Sequence, residues 1–590
     1  MLPPEPDPKE ARPWFIRALR AVIIITALGV FVLALLGSPW LIQLLWPSAT
    51  ASHSSALAQQ SSSTSTVQPP ATETLAPTST STPFAPAPFE AEGTTSFDGL
   101  MVVSLSESGY AQLFSHQLLG QPFTRLTSGA WDDVDPGISP DGQRVAFASN
   151  RSGAWDLYFL DLLTGHTVQI TEDEDYDGNP SWSPDGAWLA YEHYANGDQE
   201  IFIQPIDGSV DAVRISAGNG ADYSPAWRPG AQQIAFISDH GGLSQIWLVD
   251  LEAEGDTRFT PLVENAKVQN SPAWSPDGTW LVWSQQDDGA WTIYTLNLSD
   301  PDSTPRRIGF GEHPHWSFSG STLLAELRSP NETYLTAYTL SSGIALAPEL
   351  MPGSLNGFAW GVGSLADPLP DAILAAAQAT PSTNASNAIG NSTAELDGVN
   401  APFAELNEVA VSPFDALRAR AAQILGWDAL SQLSNAFVPL DQPLPPDRQQ
   451  DWLYTGRAFE LLSGLLDADW MAIVREDFEG QTYWRIYLKT AGDLGRPMAD
   501  LPWDLNARFN GVEADYQTGG QVSETLPAGV WLDFTSLAAD FGFERVPALA
   551  NWRSYYQGAL FNQFVFRQGL SWEEAMLQLY SPEEIVTLQP

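Results

Sequence analysis

The sequence predicts a mainly β protein: a six-bladed β-propeller with an N-terminal transmembrane helix and a C-terminal α+β domain. Three observations predict it. A Trp-centred phrase recurs through residues 97–361 at steps of about 42 to 47 residues, the length of a four-stranded blade. One long apolar run stands near the N-terminus, and helical and alternating patterns share residues 413–590.

Residues 21–46 are nearly all apolar, interrupted at Gly37-Ser38-Pro39, and about 20 apolar residues suffice to cross a bilayer. Lys9, Arg12, Arg17 and Arg20 precede the run, whereas the next basic residue is Arg125. That asymmetry places residues 1–20 in the cytoplasm and everything past residue 46 outside, as a single-pass protein of the cell membrane. The competing reading is a cleaved signal peptide, for which Ala56-Leu57-Ala58 has acceptable spacing, although it lies well beyond the apolar run. Residues 47–96 are rich in Ser, Thr, Ala and Pro and read as a disordered tether. Residues 362–412 read as a second disordered linker on the same grounds.

Composition narrows the partners. With 26 basic and 71 acidic residues the formal net charge is -45, which repels phosphate backbones and excludes nucleic acid as a partner. The absence of cysteine removes disulfides and thiolate metal sites.

The repeat is built on Trp182, Trp227, Trp274, Trp316 and Trp360, with Ile138 in the first equivalent place. Pro136, Pro180, Pro225, Pro272 and Pro314 stand two positions earlier. A turn follows, Ser183-Pro184-Asp185-Gly186 in one copy and Ser275-Pro276-Asp277-Gly278 in another, in which Pro fixes φ, Asp bonds its own backbone and Gly accepts positive φ. Alternating or apolar runs come next, as half-buried strands require. Residues 99–127 supply three strands without an anchor, and Phe358-Ala359-Trp360 supplies an anchor without further strands. Joined side by side, these chain ends complete one composite blade and close the ring.

These phrases resemble the repeats of the TolB family over residues 97–361. The resemblance implies a six-bladed, non-enzymatic, extracytoplasmic binding scaffold. The chain departs from TolB proper in having an anchor and tether in place of an N-terminal α/β domain, so binding of Pal is not implied. Similar propellers also precede prolyl-oligopeptidase catalytic domains. That arrangement needs a triad histidine, yet the last of the seven histidines is His315, and no Gly-x-Ser-x-Gly elbow follows it.

Candidate ligating residues are few. Asp173, Asp175 and Asp177, followed by Gly178, match the first half of a calcium loop, but Pro184 stands where a bidentate glutamate belongs. A solvated acidic loop between blades explains the same residues. No other cofactor is expected. His313-Pro314-His315 reads as structural.

Residues 413–430, 450–469 and 571–580 have helical periodicity, and residues 470–476 and 482–490 alternate as strands. Leu453-Tyr454-Thr455-Gly456-Arg457-Ala458-Phe459-Glu460 resembles the His-x-x-Gly-x-Ala-x-Asp element of zinc D-Ala-D-Ala carboxypeptidases, with both zinc-binding positions replaced. The resemblance implies a zinc-less, wall- or peptide-binding relative. Eight tryptophans between Trp427 and Trp572 serve the core first and sugar stacking second. The expected function is therefore a membrane-anchored scaffold holding a protein or cell-wall ligand, without catalysis. The alternative is a cell-wall hydrolase using a carboxylate pair from among Asp469, Glu476, Asp477, Glu479, Asp533 and Glu544.

Overall fold

Proline two residues before five of the six anchors and a tight turn after each leave those repeats one way to lie down: as an antiparallel meander. The computed structural model describes residues 99–586 apart from 119–121, 217–219, 241, 264, 288, 341–342 and 380–389. The anchor helix expected at 21–46, the cytoplasmic residues 1–20 and the tether at 47–96 lie outside the described residues. Among the described residues no helix is long and apolar enough to cross a membrane.

Six four-stranded antiparallel sheets follow one another from residue 100 to residue 361. In the second to sixth sheets the chain runs from an innermost strand outward. Those innermost strands are Asp133–Ile138, Tyr176–Trp182, Asp222–Trp227, Gln269–Trp274 and Glu312–Trp316. The first sheet is composite: Leu100–Glu107 pairs with Tyr110–His116 on one side and with Leu355–Gly361 on the other, Leu100 opposite Gly361. Each innermost strand packs against the next, and Glu312–Trp316 returns to Leu355–Gly361. This arrangement fits a propeller.

The anchors do more than fill space. Trp182 Nε1 donates to Gly137 O at 2.9 Å, Trp274 Nε1 to Ala226 O at 3.1 Å and Trp316 Nε1 to Ala273 O at 3.1 Å, so each indole ties its sheet to the preceding one. The turns close as their composition demands. Ser183 Oγ donates to Asp185 Oδ1, which also accepts from Ala187 N at 3.0 Å, while Gly186 sits at φ +68°.

The stretch 362–412, expected as a disordered linker, contains structure. A helix Asp371–Ala377 buries Ile373 among Val145, Tyr158 and Leu160 on the flank of the second sheet. The strands Thr393–Glu395 and Glu405–Asn407 form a hairpin, and the long helix Glu408–Leu425 begins ahead of residue 413 with Asn407 as its N-cap. Scattered apolar residues such as Ile373, Leu406 and Val409 find partners on neighbouring elements that local composition does not reveal.

The C-terminal part is α+β. The helix Glu408–Leu425 lies over a four-stranded sheet, in the order Leu433–Asn435, Ala458–Leu461, Gln563–Val565 and Glu544–Arg545, and a three-stranded one of Met471–Phe478, Gln481–Lys489 and Trp531–Asp533. Residues 450–469 do not form the expected helix. A short 3-10 turn, Trp452–Thr455, is stopped by Gly456 at φ +65°, and Ala458–Leu461 then joins the sheet. The helix Trp572–Leu579 forms as expected, with Ser571 and Glu574 in a capping box.

Candidate functional site

The residue three places before each anchor has the same unusual backbone in every sheet. Asp135, Asn179, Ser224, Ser271 and His313 have φ between 48° and 52°, and Gly357 has φ 101°. Each sits at a β-bulge between the innermost strand and its neighbour. A left-handed non-glycine residue costs on the order of 1 kcal/mol, so five in register are a repeated expense at the channel mouth. Only the sixth position is glycine, because a Cβ there would lie 2.9 Å from Asp135 Cα.

The C-terminal domain covers this mouth. Arg496 forms an ion pair with Asp135, and Arg420 Nη2 lies 2.5 Å from Asp132 Oδ2 while its Nε donates to Gly109 O at 2.8 Å. The Arg420 guanidinium also stacks 4.0 Å from the Tyr110 ring centre. Around the rim, Trp155 Nε1 donates to Leu494 O at 3.0 Å, Gly529 N to Tyr194 Oη, Arg545 N to Asn331 Oδ1 at 2.9 Å, and Ser354 Oγ to Asp540 Oδ1 at 2.8 Å. These contacts come from the first, second, third and sixth sheets, always at the end opposite the Ser-Pro-Asp-Gly turns.

Between ring and domain lies a cavity of about 720 Å³. On the propeller side Arg328 links two carboxylates, Nε 2.7 Å from Glu326 and Nη1 3.3 Å from Glu312. Burial opposes the ionisation of Glu326, yet Arg328 and His313, whose Nδ1 lies 2.9 Å away, hold it down at about 2. Burial pushes the less tightly held Glu312 up to about 7. Burial likewise lowers His315 to about 4, so it is neutral. On the domain side Glu476 accepts from Arg485 at 2.7 Å and Arg545 at 2.5 Å, and these two cations keep it ionised well below the usual range despite burial. Asp540 is pushed up to about 7 by burial. The site thus holds fixed ion pairs together with carboxyls that carry a proton near neutrality.

Of the sequence-predicted acids, Asp533 lines this cavity and Glu476 holds two of its arginines, whereas the loop acids lie elsewhere. Asp177 is fully buried and meets His193 Nδ1 at 2.8 Å, Asp173 joins them from an exposed loop, and Asp175 Oδ2 reaches to 4.0 Å from His193 Nε2. In the C-terminal domain Asp533 caps the helix Phe534–Asp540 and pairs with Arg485 at 2.7 Å, and Asp477 pairs with Arg475 at 2.7 Å. Leu453 is buried in the core, and Glu460 is held by Arg448 at 2.6 Å and Asn435 at 2.5 Å, so the two positions matching zinc ligands serve packing and an ion pair. Sequence reasoning missed His193, Arg496 and Arg420. The register of the hairpin after residue 182 points to His193, whereas nothing local marks the two arginines.

The TolB beta propeller domain model matches residues 81–190 and 178–346. A TolB homolog of Chlorobium luteolum is 33% identical over 165 residues, covering 28% of this chain and 36% of the homolog. An uncharacterized protein of Agrobacterium fabrum is 27% identical over 150 residues, 24% of this chain and 51% of that protein. The chain thus spans about half or less of the length of these curated relatives. Among solved structures, TolB from Acinetobacter baumannii aligns over 45% of this chain and 67% of its own, with 20% identity and a TM-score of 0.41. Taken with the six sheets and their recurring anchors, the family match supports a TolB-like β-propeller for the repeat region of this chain.

Proposed function

We propose that this chain is a membrane-anchored, extracytoplasmic binding scaffold in which a six-bladed propeller engages a protein or cell-wall ligand without catalysis. The observation that carries the reading is the covered channel mouth. The chain's own domain sits there through Arg496–Asp135 and Arg420–Asp132, while on the opposite face, with its Ser-Pro-Asp-Gly turns, residues 362–373 lie beside the turn at Gly142 and the loop at Gly165. Between the third and fourth sheets that face has a groove of about 920 Å³ lined by Trp188, Arg228, Gln233 and Asp250. An aromatic beside a cation and a carboxylate suits a polar chain with apolar patches, as in a peptide or a glycan-linked peptide.

The test is co-sedimentation of the detergent-purified full chain with isolated cell-wall sacculi, with Trp188→Ala and Arg228→Ala as variants. Saturable pelleting that either variant weakens supports the wall ligand and the groove. Absence of pelleting directs the search to a protein partner. Protease treatment of intact cells checks the topology, since an extracytoplasmic propeller is digested and a cytoplasmic one is spared. A hydrolase reading draws on Glu312 and Asp540, the cavity carboxyls that hold a proton near neutrality. Release of soluble muropeptides by the wild type, lost in Glu312→Gln or Asp540→Asn, is the result that would favour it.

A further inference from the structure

Four innermost strands enter their sheets through a buried polar residue at one register position: Asp133 opposite Ser149, Asp177 opposite His193, Asp222 opposite Ser238, and Gln269 opposite Gln285. A buried carboxylate needs a counter-charge or a proton. In the second sheet Arg151 supplies the charge, Nη2 2.6 Å from Asp133 Oδ1. In the fourth, burial pushes Asp222 up to about 7 and a proton serves. The fifth avoids the problem with an amide.

In the third sheet burial raises Asp177 as it raises Asp222, and the facing group is an imidazole. Asp177 is fully buried, its Oδ1 faces His193 Nδ1 at 2.8 Å, and its Oδ2, like Asp133 Oδ2, has no hydrogen-bond partner. The loop ahead of the strand brings further negative charge to the same place. One carboxylate oxygen of Asp173 lies with ligand atoms of Asp177 and His193, all within 4.8 Å of one another, and Asp175 Oδ2 stands on the other edge of the ring, 4.0 Å from Nε2. One imidazole and three carboxyl groups, two of them exposed, thus surround a buried oxygen.

We propose that Asp173, Asp177 and the Nδ1 atom of His193 bind a divalent first-row transition ion at the entry to the third sheet. Two observations select this chemistry over calcium, for which the loop alone is a weak candidate. Calcium takes six or more oxygens, whereas an imidazole nitrogen beside carboxylates suits ions such as Mn²⁺, Co²⁺ or Zn²⁺. The 2.8 Å separation of Nδ1 and Oδ1 is also close to the spacing of adjacent ligands on one ion with bonds of about 2.1 Å. Asp175 Oδ2, 4.0 Å from Nε2, favours the ring hydrogen on that side through its charge, which leaves the Nδ1 lone pair for the metal. The ion occupies the place that the Arg151 guanidinium has one sheet earlier.

The experiment titrates Co²⁺ into metal-stripped full chain in detergent and reads visible d–d absorption and melting temperature. One saturable site per chain is expected, with a rise in melting temperature. His193→Asn and Asp173→Asn should each weaken binding at least tenfold, and excess Ca²⁺ should leave the absorption unchanged. Asp173 is exposed, so its variant tests ligation with the fold intact. Absence of saturable Co²⁺ binding, wild-type affinity in both variants, or stoichiometric displacement by Ca²⁺ would each overturn the proposal.

Discussion

Arg496 of the C-terminal domain reaches across 361 sequence positions to pair with Asp135, the left-handed residue of the second sheet's innermost strand. The strained ring and the covering domain therefore meet at one bond. Removing either partner leaves a desolvated charge, a loss of roughly 1–3 kcal/mol for such a hydrogen-bonded group.

Arg496→Ala and Asp135→Ala should each loosen the domain, and the double variant should lose less than the sum of the two. Hydrogen exchange at residues 107–111 and 153–156 reads the loosening. Additive losses would mean that the pair does not couple the two parts.

Docking should weaken as pH rises. Asp540 faces Ser354 and Ser106, with Asp132 and Asp533 nearby, and burial raises its folded pKa to about 7 from an ordinary value of 3.8. The docked form then holds a proton that the undocked form releases between about pH 4 and 7. Its stabilising contribution is complete below that window, declines by up to about 1.4 kcal/mol per unit through it, and stays lost above it. Asp540→Asn should flatten the slope measured between pH 5.5 and 8 by urea unfolding.

The tryptophan anchors should not be equivalent. Trp274 Nε1 bonds Ala226 O at 3.1 Å, whereas Trp227 Nε1 is buried without a partner. Trp274→Phe should cost about 1 kcal/mol more than Trp227→Phe, because only the former orphans a carbonyl. Equal losses in thermal unfolding would show that indole volume, and not the cross-sheet bond, explains the repeat.

The left-handed ring makes a paired prediction. Ser271→Gly relieves φ 51° and should be neutral to stabilising by up to about 1 kcal/mol. Gly357→Ala combines φ 101° with a Cβ 2.9 Å from Asp135 Cα and should destabilise by more than about 2 kcal/mol. Calorimetry of the two variants checks both signs.

The repeat was legible because its cues are local: proline, an anchor, and a turn whose aspartate and glycine bond within four residues. The composite first sheet was legible too, since three strands lacked an anchor and one anchor lacked strands. The covering domain was not, because Arg496 and Arg420 become informative only once the ring places Asp135 and Asp132 opposite them. Asp173 and Asp177 were visible in a single loop, whereas His193 enters through strand register across a bulge. Residues 450–469 misled because helical spacing of Leu and Ala was outweighed by Gly456 and by pairing with Gln563–Val565, a partner about a hundred residues away.

Leu100 pairs with Gly361 at the very ends of the composite sheet, where the chain enters and leaves the repeat region. Mechanical tension applied between residues 99 and 362 would therefore pull two antiparallel strands apart from the same end. The strands would peel one hydrogen-bonded pair at a time instead of resisting together in shear. Under load, the seam that seals the ring is the first to part, and the bonds made by Arg420 and Arg496, at the far end of the strands, are reached last.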